Sequence, residues 1–164
     1  MKWKQAILDY NHYLNIERGL SENTIDNYIR DIKKFVTFLE KKGISSSPIN
    51  ITEEFIQEFV YEISKKISSR SQARLISGLR SFFEYLIFEN YRESNPTDLI
   101  EAPKTGRKLP DTLSEEEINS LITAIDLSKA EGERNRAMLE TMYSCGLRVS
   151  ELIHLKISDL FFEE

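Results

Sequence analysis

The stretch "SENTIDNYIRDIKKFVTFLEKKG", residues 21–43, decides the fold class of this 164-residue chain. Ile25, Tyr28, Ile29, Ile32, Phe35, Val36 and Leu39 recur at steps of three and four, the signature of one face of a helix with about 3.6 residues per turn. Ser21 stands where an N-cap belongs, and Gly43 where a left-handed stop belongs. Lys41 and Lys42 occupy the last turn, where cations complement the helix dipole. Away from the apolar stripe lie Asn23, Thr24, Asn27, Arg30 and Lys34, with Asp31 the one acid among them.

The same period extends in both directions. Upstream, Trp3, Ile7, Tyr10 and Leu14 predict a helix over about Lys2–Arg18, stopped by Gly19. Downstream, Thr52 is the expected N-cap of a third helix burying Phe55, Ile56, Phe59, Val60 and Ile63, with Ile51 and Ile56 as a hydrophobic staple. A fourth helix is predicted over about Ser69–Glu89. The segment "NPTDLIEAPKTGRKLPDT", residues 95–112, has three prolines and no sustained period, so it reads as a linker. Beyond it Ser114 and Glu117 form a capping box, with Leu113 and Ile118 as a second staple. Helices are expected over Glu115–Asp126 and Glu133–Ser144, the latter offering Ala137, Met138, Met142 and Tyr143 for burial. No segment alternates with period two. The expected fold is all-α: a four-helix domain over 1–94, a linker over 95–112, and a further helical segment over 113–164.

The net charge of −5 is unevenly distributed, +2 over residues 1–108 and −7 over 109–164. From Ile63 to Phe83 there are Lys65, Lys66, Arg70, Arg74 and Arg80 and no acid. A local cationic stripe outweighs the total, because phosphate attraction is screened beyond about 8–10 Å in physiological salt. No apolar run approaches the roughly 18 residues of a membrane span. The N-terminus has no secretory pattern, and the single cysteine, Cys145, makes no internal disulfide or cysteine-built metal site. A cytoplasmic protein without membrane contact is expected.

Two polar helix faces are candidates for binding. On the fourth helix Arg70, Arg74, Ser77 and Ser81 fall within about 60° of one another, opposite Leu75, Ile76, Leu79, Phe82, Phe83 and Leu86. Gly78 beside them implies that something approaches closely. On the second helix Thr24, Asn27, Arg30 and Lys34 cluster likewise, and Lys104, Arg107 and Lys108 follow in the linker. Guanidinium, ammonium, hydroxyl and amide groups on a helix suit phosphates and major-groove base edges. A face that is merely solvated fits the same pattern. Arg148, set between Leu147 and Val149 in "GLRVSEL", reads by itself as half of an ion pair with Glu151 at i, i+3 after a C-capping glycine.

The segment "ERNRAMLETMYSCGLRVSELIHLKISDL" resembles the first conserved box of the tyrosine site-specific recombinases, which include phage integrases and Xer recombinases. "GLSENTIDNYIRDIKKFVTFLE" and "SSRSQARLISGLRSFFEYLIFENYRESNP" resemble the SAM-like core-binding domain of the Xer-type members. "KLPDTLSEEEINSLI" resembles the opening of their catalytic domain. Cys145 departs from the threonine common there. The resemblance implies that Arg148 is the first active-site arginine, with Glu151 holding its rotamer, and that no metal or cofactor takes part. It implies double-stranded DNA as partner, bound through Thr24, Asn27, Arg30, Lys34, Arg70, Arg74, Ser77, Lys104, Arg107 and Lys108. The family's later lysine, His-x-x-Arg box and nucleophilic tyrosine have no match here. The chain is therefore expected to be a fragment that binds DNA without cutting it, a monomer or weak dimer taken from a parent that is tetrameric on DNA. A non-catalytic regulator on a recombinase-like scaffold and a helical interaction module are the rival readings.

Overall fold

The computed structural model describes residues 1–104, 106 and 109–161, and within these the regular structure is entirely helical. Its contacts divide the chain into two compact units, Met1–Arg107 and Lys108–Glu164.

The first unit is built from α1 (Trp3–His12), α2 (Glu22–Lys41), α3 (Glu53–Ser64) and α4 (Ser69–Phe88). The single helix expected over Lys2–Arg18 is two pieces. After His12 the chain widens into a π-helical turn, Tyr13–Glu17, closed by the Arg18 N–H on the Tyr13 carbonyl at 3.1 Å. Gly19 then takes φ +56° and ends it. The capping positions of α2 and α3 are Ser21 and Thr52, as their place before an apolar period requires. Ile51 and Ile56 are both fully buried, consistent with a staple. Ser68 caps α4 by accepting the Ser71 N–H.

The two long helices, α2 and α4, pack on each other most extensively and carry most of the core. Phe35 from α2, Phe82 and Phe83 from α4 and Tyr10 from α1 are all fully buried. Their rings meet edge-on or tilted, with Tyr10 and Phe82 at 5.3 Å and Phe35 and Phe59 of α3 at 5.2 Å, the arrangement the ring quadrupoles favour. Each such buried ring contributes roughly 1.5–3 kcal/mol relative to exposure. Polar tips in this core are satisfied. Tyr10 donates to Ser81 Oγ at 2.8 Å, and Trp3 Nε1 donates to the Ser46 carbonyl at 2.8 Å.

Gly78 has the meaning its sequence suggested, with a different occupant. A Cβ there would stand 3.3 Å from Asp31 Oδ2 and 3.6 Å from the Tyr28 ring. What approaches closely is α2 itself. Ser81, expected on the outer polar face, instead turns inward to Tyr10 because a buried phenol requires an acceptor.

The segment read as a linker begins folded. Asn95, Thr97 and Ile100 are buried, and Asn95 Oδ1 accepts the Thr97 N–H at 3.0 Å. Arg80 donates to the Thr97 and Ile100 carbonyls at 3.3 and 2.9 Å, so it acts as a clasp and is no member of the outward cationic stripe. Arg92, after α4, donates to the carbonyls of Pro48, Ile49 and Ile51 at 2.9, 2.6 and 2.9 Å and lies over the Phe83 ring.

The second unit contains α5 (Glu115–Thr123), α6 (Gly132–Cys145), α7 (Val149–His154) and a 3-10 turn at Ile157–Asp159. The capping box of α5 is formed: the Ser114 N–H donates to Glu117 Oε2 at 2.8 Å and the Glu117 N–H to Ser114 Oγ at 3.3 Å. Leu113, Ile118, Leu121, Leu139, Met142 and Tyr143 share one shallow groove of about 220 Å³ between α5 and α6. No hydrophobic side chain of this unit is buried among the described residues, and Tyr143 is 50 % exposed. Three short helices enclose too little volume to cover their own apolar faces.

Candidate nucleic-acid interface and active-site arginine

The candidate residues of the first unit lie on α2 and α4, and they differ in how free they are. Arg30 and Arg70 are exposed, and no carboxylate among the described residues forms an ion pair with either. Lys34 and Arg74 are also exposed, yet both are held by Asp31, which is itself completely buried. Arg74 Nη1 and Nη2 donate to Asp31 Oδ2 and Oδ1 at 2.8 and 3.1 Å, and Lys34 Nζ donates to Oδ1 at 3.2 Å. Burial of a carboxylate is tolerated when its lone pairs are filled by cationic donors in this way. The structure thus brings Lys34 and Arg74, 40 positions apart in the chain, onto one anion.

The shorter polar groups are engaged locally. Asn27 Nδ2 donates to the Asn23 carbonyl at 2.7 Å, Ser77 Oγ to the Ala73 carbonyl at 3.0 Å, and Thr24 Oγ1 pairs with Ser21 Oγ at 3.0 Å. Thr24 and Asn27 are half-buried, while Ser77 and Lys104 are exposed. Arg107 and Lys108 lie outside the described residues.

Sequence reasoning passed over Lys33 and the groove it shares with Lys41 and Lys66. A groove of about 370 Å³ between α2 and α3 has Phe38, Phe59 and Ile63 on its floor, and Arg30, Lys33, Lys34, Lys41 and Lys66 around it. Its carboxylate, Glu62, is neutralised by Lys42 at 2.7 Å. Lys42 also binds Glu58 at 2.8 Å, and these bonds hold its ammonium above its ordinary pKa while holding Glu62 below its own. The available signal was the spacing of Lys33, Thr37 and Lys41, four apart on one side of α2.

In the second unit the turn that positions Arg148 is built from Gly146. Its φ of +64° closes α6, and the Leu147 N–H returns to the Met142 carbonyl at 3.1 Å. Only glycine adopts this conformation without strain from a Cβ. Arg148 then becomes the N-cap of α7. Its N–H donates to Glu151 Oε2 at 2.7 Å and its Nη1 to Glu151 Oε1 at 2.8 Å. The first of these bonds, then the second, lowers the Glu151 carboxyl pKa. The ion pair read from "GLRVSEL" is present, and the Arg148 side chain is still 82 % exposed. Glu151 fixes one edge of the guanidinium and leaves its other donors open. Cys145, at the end of α6, is an exposed free thiol.

Among the described residues no group of three or more His, Cys, Asp or Glu side chains is placed to hold a metal ion, and no helix is long and apolar enough to cross a membrane.

Comparison with known proteins gives these faces a context. The phage integrase N-terminal SAM-like domain matches residues 7–90, and the phage integrase family matches residues 111–164. The chain belongs to the phage integrase family of tyrosine recombinases. It is 42% identical over 155 residues to the tyrosine recombinase XerD of Staphylococcus aureus, covering 94% of this chain and 52% of that protein. XerD of Staphylococcus epidermidis is 43% identical over the same length. The chain spans about half the length of the curated relatives it matches. Two solved integrases share the fold. A lambda integrase dimer bound to a COC′ core site matches with a TM-score of 0.71 at 22% identity, covering 98% of this chain and 43% of the other. The integrase of mycobacterium phage Brujita matches with a TM-score of 0.57 at 20% identity, covering 88% and 46%. The helices are thus those of an integrase SAM-like domain followed by the opening of an integrase catalytic domain.

Proposed function

We propose that the first unit grips double-stranded DNA through the exposed faces of α2 and α4, and that Arg148 serves the scissile phosphate of a tyrosine recombinase. The observation that carries this reading is an 82 % exposed guanidinium on a glycine turn, within the segment that matches the phage integrase family. In the reaction a tyrosine hydroxyl attacks the phosphorus of a DNA phosphodiester. The Tyr O–P bond forms, the bond to the 5′ oxygen breaks, and that oxygen leaves as a hydroxyl while the 3′ end stays on the protein. Negative charge grows on the non-bridging oxygens, and donors already oriented toward them lower the barrier. Arg148 supplies such donors and Glu151 keeps them oriented.

The functional division we propose assigns DNA gripping to residues 1–94, connection to 95–112 and the start of the cutting domain to 113–164. Arg30 and Arg70 are the freest phosphate donors. Thr24, Asn27, Lys34, Arg74, Ser77 and Lys104 complete the surface, together with Arg107 and Lys108. The whole recombinase works in the cytoplasm as a tetramer on two DNA sites, whereas this chain alone is a monomer or weak dimer that binds without cleaving.

A fluorescence-anisotropy titration of labelled duplex against salt tests the grip. Arg30→Ala with Arg70→Ala should make the slope of log K on log salt shallower by about 1.8, two phosphates at about 0.9 each. An unchanged slope overturns the assignment of these faces. A nicked suicide substrate mixed with the 164-residue chain should trap no covalent adduct, and a trapped adduct overturns the reading of the chain as binding without cleavage.

A further inference from the structure

Asp31 is the only charged residue that is fully buried among the described residues. It sits against Gly78 of α4, 3.3 Å from the position a Cβ would take there. All of its contacts with cations run to residues of the DNA-facing surface: a two-pronged bond from Arg74 and a single bond from Lys34. Those two side chains remain 42 % and 41 % exposed, so each has one side committed inward and another facing solvent.

We propose that Asp31 is a positioning residue for DNA binding, holding Arg74 and Lys34 in fixed orientations and cancelling one of their two charges. This rests on the reading of α2 and α4 as the DNA face. Arginine carries five N–H donors, and Asp31 uses two of Arg74's, leaving three for phosphate oxygens or a base edge. The chelated guanidinium has already lost the rotamer freedom that an unpaired arginine loses only on binding. The group of three carries a net charge of +1, so it displaces about one counterion from DNA where two unrestrained cations would displace about two. Arg30 and Arg70, with no such partner, act at full charge. The face combines mobile cations that supply attraction with a held pair that supplies orientation.

The salt dependence of duplex binding by the 164-residue chain separates this role from a purely structural one. With a duplex of about 30 base pairs, Asp31→Asn should keep its helical circular dichroism and steepen the slope of log K on log salt by about 0.9. A folded Asp31→Asn chain with an unchanged or shallower slope overturns the proposal. Asp31→Asn with Arg74→Met replaces the buried pair by neutral groups of similar size, a change such sites commonly tolerate. It leaves Lys34 as one free cation, so its slope should equal that of the parent chain. A slope shallower by about 0.9 would mean that Arg74 and Lys34 already act as two independent contacts, and that outcome also sinks the proposal. Absence of salt-dependent binding by the unaltered chain is a different failure, which removes the DNA reading itself and this inference with it.

Discussion

Replacing Arg92 by methionine removes the group that ties the end of α4 to the loop between α2 and α3. Its guanidinium donates to the carbonyls of Pro48, Ile49 and Ile51 at 2.9, 2.6 and 2.9 Å, across 41 to 44 residues of sequence. A fourth bond reaches the Ser94 carbonyl at 3.2 Å. Burial lowers the guanidinium pKa without discharging it, since arginine starts far above physiological pH. Hydrogen bonds to charged groups contribute about 1.5–3 kcal/mol each when well buried. Arg92 is only partly buried, so water replaces some of each bond, and about 1 kcal/mol apiece for the three long-range bonds gives a loss of about 3 kcal/mol. Methionine keeps much of the stem's packing against Phe83, which confines the loss to the polar contacts. In a domain of this size the melting temperature should fall by roughly 12–24 °C. Urea titration followed by circular dichroism at 222 nm, with the m-value unchanged, is the measurement. A loss below about 1 kcal/mol would refute the claim that these bonds hold the loop.

Other expected outcomes follow from single features. Phe82→Ala empties the centre of the aromatic core and should cost about 3–5 kcal/mol in the same titration, with a near-neutral result showing that the core relaxes around the gap. Burial raises the hydroxyl pKa of Tyr10 above its ordinary value and that of Tyr85 to about 12. Their contribution is complete below pH 10 and is lost as pH rises through the folded values, so stability should drop between pH 10 and 12 and drop less in Tyr10→Phe. The Glu151 carboxyl is held low, chiefly by the Arg148 N–H and then by its guanidinium. That contribution is present above the ordinary glutamate pKa of about 4.3 and disappears as pH falls through the lower folded value. Carboxyl NMR should therefore give Glu151 a midpoint below 4.3, and a midpoint at or above it would exclude the cap at Arg148.

The helices were legible because their apolar spacing is a local property, and so were the stops at Gly19, Gly43 and Gly146, each of which takes positive φ. The π-helical turn at Tyr13–Glu17 was not, since the same residues satisfy an ordinary helical period. Cations were harder to read than the fold. Arg70, Arg74, Arg80 and Arg92 are one residue type, yet Arg70 pairs with no carboxylate among the described residues, Arg74 is chelated by Asp31, and Arg80 and Arg92 clasp backbone carbonyls 17 to 44 residues away. Nothing local distinguishes them, because each fate is set by what the fold brings alongside. Asp31 was misleading for the same reason. On a helical wheel it is an acid on a polar face, and only the crossing with α4 at Gly78 buries it. The glycine turn and the Arg148–Glu151 ion pair were legible in the local sequence, whereas the second bond, from the Arg148 backbone N–H to Glu151, was not.

The anchoring of Asn95–Ile100 by Arg80 has a consequence for reach. If the whole of 95–112 were slack, eighteen residues could extend to about 65 Å. With the chain pinned as far as Ile100, twelve remain before Leu113, and their greatest span falls to about 43 Å. One arginine fork thus takes a third off the greatest length the segment could reach, so a single side chain sets the upper limit of that tether.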